Sequence, residues 1–375
     1  MDAPKIDRER QRTAKAYAGR QRRLYLLSLV LSALVVVLAV AINPFRWLEP
    51  APRAGWPYLG VSVYFVLLML FYQLVTLPLS YYSGHVLPTR YGLSVQSAAG
   101  WFGDLLKSTA LGLVFGLVLV DVIYFLLANA PATWWLWAAG AVLLFTVVLA
   151  NLSPILILPL FYKLRPLEDE DLVRRLTALA QRAGTKVRGV YTMDMSSRTT
   201  AANAALMGLG NTRRIVLGDT LLREYSPEEI ESILAHELGH HVHRDIPKGI
   251  VVQTAVIVLS FWLADLALRW GVGQLALGGV ADPAGLPLFG LVVGGIGFVA
   301  MPLTNGFTRW LETQADRYAI EATGSPSAFA AAMTRLANQN LADVDPPRWV
   351  EVLLYDHPAI GRRLALAAQY AQRLT

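Results

Sequence analysis

The 375-residue sequence contains no cysteine, which excludes disulfides, thiolate metal ligands and a cysteine nucleophile. Charge is scarce too. Asp, Glu, Lys and Arg make up 16% of the chain against 55% hydrophobic residues, too little charge for an ordinary soluble enzyme of this size. No internal repeat is visible, and no cleavable signal peptide is expected. The start, MDAPKIDRERQRTAKAYAGRQRR, is a long basic run, and the apolar block behind it ends at Asn43-Pro44 without a small-residue cleavage pattern. Histidine is rare, with six in all, yet four fall within SILAHELGHHVHRD, residues 232–245.

The apolar residues are gathered into six blocks long enough to cross a bilayer at ~20 residues per helix: 24–42, 58–82, 108–128, 133–161, 249–270 and 286–303. The fourth is too long for one crossing and should project from the bilayer or bend near Pro154 and Pro159. Lysine and arginine assign the sides. The basic N-terminus, the loop around Arg90, residues 163–247 and everything after Leu303 fall on the inner, cytosolic side. The outer loops hold Arg46 and Arg53 in the first and no lysine or arginine in 129–132 or 271–285. The formal net charge of +6 therefore has a topological explanation, and no nucleic-acid partner is expected. The fold class that follows is mainly α: a polytopic helical membrane protein with a further part holding a small β-sheet. An N-terminal membrane domain of about four helices covers 1–161, and 162–375 carries the rest with two further spans.

Between the fourth and fifth blocks the chain reads as soluble. Residues 166–183, PLEDEDLVRRLTALAQRA, have helical apolar spacing, acids in the first turn and Gly184 as a stop. VRGVYTM, NAALMG and RRIVLG are short β-prone runs separated by turn formers. Ser226 as cap, Pro227 at the first helical position and Glu229 reaching back then predict a helix start.

That helix carries His236-Glu237-Leu238-Gly239-His240, an H-E-x-x-H pattern. Residues four apart lie ~40° apart around a helix, so both imidazoles can share one ion. One zinc suits them, with a third protein ligand and one position left for water. Glu237 points ~100° away and is placed to take a proton from that water. The best third ligand is Glu312, in RWLETQADRYA. The fifth and sixth blocks form an antiparallel hairpin, so a helix extension before one and after the other would bring the two ligand sets to matching heights.

Four motifs in order, SSRTTAANAALMGLGNTRRIVLGDTLL, AHELGHH, ETQADRYA and DHPAIGRRLALA, resemble the M48 metallopeptidases. The resemblance is to their integral-membrane branch, typified by the Ste24 or type I CaaX prenyl protease. It implies that His236, His240 and Glu312 are zinc ligands and Glu237 the general base. It also implies that Asp316 orients a ligand histidine or donates a proton, that His357 hydrogen-bonds the oxyanion, and that Arg363 braces the site. Asn203 would begin an edge strand that pairs with an extended peptide substrate. The implied function is a membrane-embedded zinc endopeptidase acting on peptides, prenylated or membrane-associated. That branch has seven spanning helices where six are legible here, and RYGLSVQSAAGWFGDLLK keeps little of its usual motif after the second helix. A general quality-control metalloprotease is the alternative, or, from another class, a transporter or scaffold stapled by a closed metal site with His241 or His243 as fourth ligand. Asp121 and Asp265 are buried acids expected to line a wet chamber or to pair helices. Trp134–Trp137 reads as an interfacial aromatic belt, and His85 as interfacial.

Overall fold

A computed structural model of the chain describes residues 4–45, 59–208 and 212–374. Arg46 and Arg53 lie outside them.

The membrane part begins with α1 (Arg8–Ile42), capped by the Asp7 carboxylate, which accepts from the amides of Glu9 and Arg10. The helix thus starts well before the apolar block and carries the basic run as an extension. Next come α2 (Leu59–Tyr81) and the short α3 (Leu87–Arg90), joined by a π-helical turn over Tyr82–Val86. α4 (Ala98–Asn129) and α5 (Trp134–Leu152) form the next hairpin. A second π turn, Ser153–Ile157, leads to α6 (Leu158–Phe161). It contains Pro154, one of the two prolines where a bend was the alternative to projection from the bilayer, because a ring without an N–H breaks the helical ladder.

β1 (Leu164–Pro166), α7 (Glu170–Arg182), β2 (Val190–Met193), β3 (Ala204–Met207), β4 (Arg214–Gly218) and α8 (Asp219–Glu224) follow. The strands make one sheet in the order β1-β2-β4-β3, with only β2 and β4 parallel. β3 is an edge, in register with β4 from Ala204 against Leu217 to Met207 against Arg214. β1 was not foreseen: three residues ending in proline carry too little pattern.

α9 (Pro227–Val242) has the foreseen capping box, with Ser226 and Glu229 bonding each other's backbone amides. α10 (Asp245–Gln274) and α11 (Leu286–Thr323) are the last two helices of membrane length, and α12 (Pro326–Gln339), α13 (Arg348–Leu354) and α14 (Ile360–Leu374) close the chain. Among the described residues six helices are long and apolar enough to cross a membrane. Their outward faces carry exposed Val30, Leu74, Leu106, Leu144, Val251 and Leu303, the surface a lipid environment would cover.

Two cores organise the molecule. Leu176, Ile215, Leu217, Leu234, Leu238, Ala319 and Phe329 join α7, the sheet, α9, α11 and α12. Tyr64, Ile123, Trp134, Phe261 and Leu268 join α2, α4, α5 and α10. Asp265 lies in this second core and pairs helices: Trp134 Nε1 donates to its Oδ1 at 2.7 Å and Arg269 Nε to its Oδ2 at 2.8 Å. Trp134 is thus a buried anchor rather than part of a belt, although Trp137, three residues on, is exposed. Asp121 accepts from Ser62 Oγ at 2.7 Å, again across helices. His85 is buried in the first π turn, against Tyr81 and Trp101.

Candidate active site

α9 and α11 lie against each other closely enough that a Cβ on Gly239 would sit 3.0 Å from the Cα of Ala315. The small residue inside the histidine motif therefore sets the helix spacing, as small residues do wherever backbones approach. This contact brings Glu312 over the histidine pair. His236 Nε2 lies 3.2 Å from Glu312 Oε2, and His240 Nε2 lies 3.3 Å from Oε1. One donor atom from each of the three residues falls within 4.8 Å of the others. His241 and His243 are not in the cluster; the His243 ring packs on Tyr318 instead. Neither supplies the fourth ligand that a closed, stapling site would need.

Each imidazole has its other nitrogen pinned. His236 Nδ1 donates to Asp316 Oδ1 at 2.8 Å, and His240 Nδ1 donates to Asp245 Oδ2 at 3.0 Å. With Nδ1 held in this way, each Nε2 faces Glu312, the orientation a ligand histidine requires. Arg363 secures Asp316 in turn, with Nε to Oδ2 at 2.9 Å and Nη2 to Oδ1 at 2.5 Å. Arg363 thus stands behind the ligand histidine and also lines a cavity of about 550 Å³ on the α11 side.

The donor set fits a divalent cation on chemical grounds. Glu312 Oε2 is buried and accepts no well-directed hydrogen bond, even with His236 Nε2 so near. A buried carboxylate oxygen left in that state is costly unless a cation faces it. Between the protein groups alone, burial pushes the His236 imidazole down, but Asp316 and Glu312 outweigh it and raise it to about 9. His240 is raised as well, burial being overcome by Glu312 and Asp245 against the opposing charge of His236. Both shifts mark a pocket built to hold positive charge.

Glu237, half-buried on the same helix, makes no hydrogen bond or ion pair among the described residues, and its charge acts on Arg363. His357, in the loop between α13 and α14, reaches the cluster: its Nε2 is 3.3 Å from Glu312 Oε1, and its Nδ1 donates to Asp356 Oδ1 at 2.8 Å. Asn203 is exposed just before β3, and its carbonyl accepts from Gly218 N at 2.9 Å. All eight residues singled out in the sequence are thus at or beside the cluster, except Asn203, which stands at the head of the edge strand packed on α9.

Two features escaped the sequence reading. The histidines do not ride on an extension of the membrane helix. Arg244 is left-handed (φ 56°), and α10 starts afresh at Asp245. Pro247 explains the break, because its ring would clash with the His243 carbonyl in a continuous helix. The break also delivers Asp245. In an unbroken helix a residue five positions on would point ~140° from His240; after the break it closes on Nδ1. The signal was the H-R-D-I-P run, an acid and a proline just past the motif.

Comparison with known proteins adds to this picture. Residues 166–371 match Peptidase family M48, and residues 3–163 match the CAAX prenyl protease N-terminal, five membrane helices. In that second stretch the described residues hold four helices of membrane length. An uncharacterized metalloprotease of Bacillus subtilis, YhfN, is 31% identical over 88% of this chain and 78% of its own length. CAAX prenyl protease 1 of Saccharomyces cerevisiae is 30% identical over 78% of this chain and 68% of its own. The crystal structure of S. mikatae Ste24p has the same fold, with a TM-score of 0.86 at 24% identity, covering 96% of this chain and 90% of that one.

Proposed function

The chain belongs to peptidase family M48, in the membrane-embedded CAAX prenyl protease branch, and from that premise we infer how this metalloprotease works: one zinc ion held by His236, His240 and Glu312 serves peptide-bond hydrolysis. The observation that carries the reading is the convergence of two oriented histidines and a buried, unsatisfied carboxylate on one point. Two imidazoles and one carboxylate, with one position left for water, suit zinc better than the harder magnesium or calcium.

Bound there, the ion supplies Lewis acidity toward the scissile carbonyl and the attacking water. The chain's own groups do the rest. Glu237 takes the proton from the attacking water and passes it to the leaving amine. His357 Nε2 donates to the carbonyl oxygen as negative charge develops, with Asp356 holding its ring. Burial and desolvation aside, Asp316 acts by orienting His236, and Arg363 by holding Asp316. The peptide backbone lies along the open edge of β3, beginning at Asn203, in β-augmentation.

Several finer assignments go with this reading. We place the division at 161/162, with two spans inside the peptidase part, a reading supported by family matches over residues 3–163 and 166–371. The distribution of lysine and arginine puts the N-terminus and the site on the cytosolic side. The substrate is a membrane-associated peptide carrying an apolar chain, a prenyl group being the one the relatives' names suggest. In support, an apolar cavity of about 630 Å³ lies between α5, α10 and Leu206–Gly208 at the end of β3. It runs from Ile246 to Ile257 along α10, ~16 Å into the level of the spanning helices.

Glu237→Gln tests the mechanism: zinc content should match the wild type while peptide cleavage falls by about 10³-fold or more. Retained cleavage in that variant would remove Glu237 from the mechanism. Side-by-side incubation with a farnesylated peptide and its unlipidated twin tests the substrate, and equal rates for both would remove the prenyl preference.

A further inference from the structure

α13 (Arg348–Leu354) turns large apolar residues outward. Its inward face holds Val350 and Glu351, both buried, whereas Trp349, Val352 and Leu353 are 52%, 43% and 40% exposed. At ~100° per residue these three and the exposed Arg348 fall within one arc of ~140°. Three apolar side chains and a cation thus share one strip. Trp310 of α11, also half exposed, lines the same hollow as Arg348 and Val352. A contiguous apolar surface of this kind marks a place where something else docks.

Two contacts set the height of the strip. The Arg22 guanidinium lies over the Trp349 ring, 5.6 Å from its centroid, and Arg22 comes two residues, ~3 Å, before the first apolar block begins at Leu24. Asn305 Nδ2 donates to the Leu353 carbonyl at 2.9 Å, and Asn305 comes two residues after the sixth block ends at the exposed Leu303. α13 therefore lies across the level at which two spanning helices leave the apolar layer. Tryptophan and arginine concentrate at that level in membrane proteins, because one part of each side chain prefers hydrocarbon and the other prefers water.

We propose that α13 is an interfacial foot: Trp349, Val352 and Leu353 seat in the headgroup region of the cytosolic leaflet, Arg348 meets anionic phospholipid headgroups there, and the seating positions the loop that carries His357. It rests on the peptidase reading above, in which His357 serves the oxyanion and the site faces the cytosol. The inward side of α13 grips both ends of that loop. Arg309 Nη1 donates to the carbonyls of Glu351 and Tyr355, where the loop begins. Glu351 Oε1 accepts from Ala359 N at 3.0 Å, where it ends. His357 Nε2, between the two, lies 3.3 Å from Glu312 Oε1. A helix held by the membrane surface on one side and bonded to the loop on the other thus fixes where that imidazole stands over the cluster. Glu351 and Asp356 are engaged by Arg362 and His357, whereas Arg348 and, on α1, Arg20 and Arg23 are exposed. The charge offered to the leaflet is therefore positive, which suits anionic headgroups.

Because the chain has no cysteine, a nitrobenzoxadiazole fluorophore on Val352→Cys reports on that strip alone. The full zinc-loaded chain is placed in phosphatidylcholine nanodiscs doped with an equal small share of spin-labelled phosphatidylcholine or spin-labelled phosphatidylglycerol, the spin label near the headgroup. The Val352→Cys fluorophore should be quenched severalfold more than one on the exposed Lys186→Cys. Phosphatidylglycerol should quench it about fivefold more than phosphatidylcholine, the effect of one arginine at an anionic surface, and Arg348→Gln should bring the two toward equality. Quenching no stronger than at Lys186 overturns the proposal. Shielding that grows with the number of chains per disc also overturns it, because a second copy would then cover the strip. Equal quenching by the two lipids removes the role given to Arg348. For the link to the site, Trp349→Ala combined with Val352→Ser should lower kcat on a peptide about tenfold, with KM, melting temperature and zinc content unchanged. On a His357→Ala background the same pair should cost nothing further, since both changes act through one imidazole. An unchanged kcat, or losses that add, overturns that link. If the wild type cleaves no peptide, the peptidase reading fails, and the quenching still decides where α13 sits.

Discussion

At the scale of single residues, the two carboxylates behind the histidines decide how well the site holds an ion. Asp316 and Asp245 each fix one imidazole with Nε2 facing inward. Removing such a partner costs about 10–100-fold in metal affinity. Asp245→Asn is therefore expected to weaken zinc binding by that factor, measured by competition with a chromogenic chelator, while the helical circular dichroism is unchanged. Full affinity in the variant would show that His240 is oriented by other means. Protons compete for the same nitrogens. With His236 raised to about 9 by Asp316 and Glu312, its Nε2 carries a proton at neutral pH until an ion displaces it. Zinc binding should accordingly release about one proton or more per ion, and affinity should weaken as pH falls below about 9. Calorimetric titration in buffers of differing ionisation enthalpy measures this directly, and an absence of proton release between pH 7 and 8 would contradict the account.

At the scale of elements, the spacing of α9 and α11 is the controlling quantity, and Gly239 is the residue that sets it. A methyl group there meets backbone, which cannot swing aside. Gly239→Ala should cost about 1–3 kcal/mol of stability and reduce zinc occupancy together, since parting the helices moves Glu312 away from the histidines. A melting curve and metal analysis on the same sample provide the check. Asp265→Ala makes the contrast. It strips Trp134 and Arg269 of their shared acceptor in the membrane core, so stability should drop while zinc occupancy stays. Much of this level was readable beforehand. Ser226, Pro227 and Glu229 announced the start of α9, and the i,i+4 histidines with Glu312 announced the cluster, because caps and ligand spacings are local chemistry. What escaped depended on distant contacts. No local pattern tells that Trp134 turns inward to Asp265, or that three residues ending at Pro166 pair with β2. The break at Arg244 was legible only in part, since Pro247 signals it but the left-handed residue that delivers Asp245 does not.

At the scale of the whole molecule, six long apolar helices accompany a sheet-bearing peptidase part, and α11, one of the six, carries Glu312 of the His236-His240-Glu312 cluster. The S. mikatae Ste24p fold extends over nearly the full chain, although the family's N-terminal region is described with five membrane helices and this chain has four described ones there. The lack of cysteine makes sidedness easy to measure, because any thiol introduced is the only one present. Arg12→Cys and Lys186→Cys, both at exposed positions, should react with a membrane-impermeant maleimide from one side, and Ala132→Cys, in the α4–α5 loop, from the other. Labelling of all three from the same face would refute the odd number of crossings that separates Ala132 from each of the other two. The claim on which everything else depends is tested most directly by anomalous diffraction at the zinc edge on crystals of the purified chain. One peak should lie ~2.0–2.2 Å from His236 Nε2, His240 Nε2 and a Glu312 carboxylate oxygen. A peak elsewhere, or one that leaves Glu312 beyond coordinating distance, would contradict it.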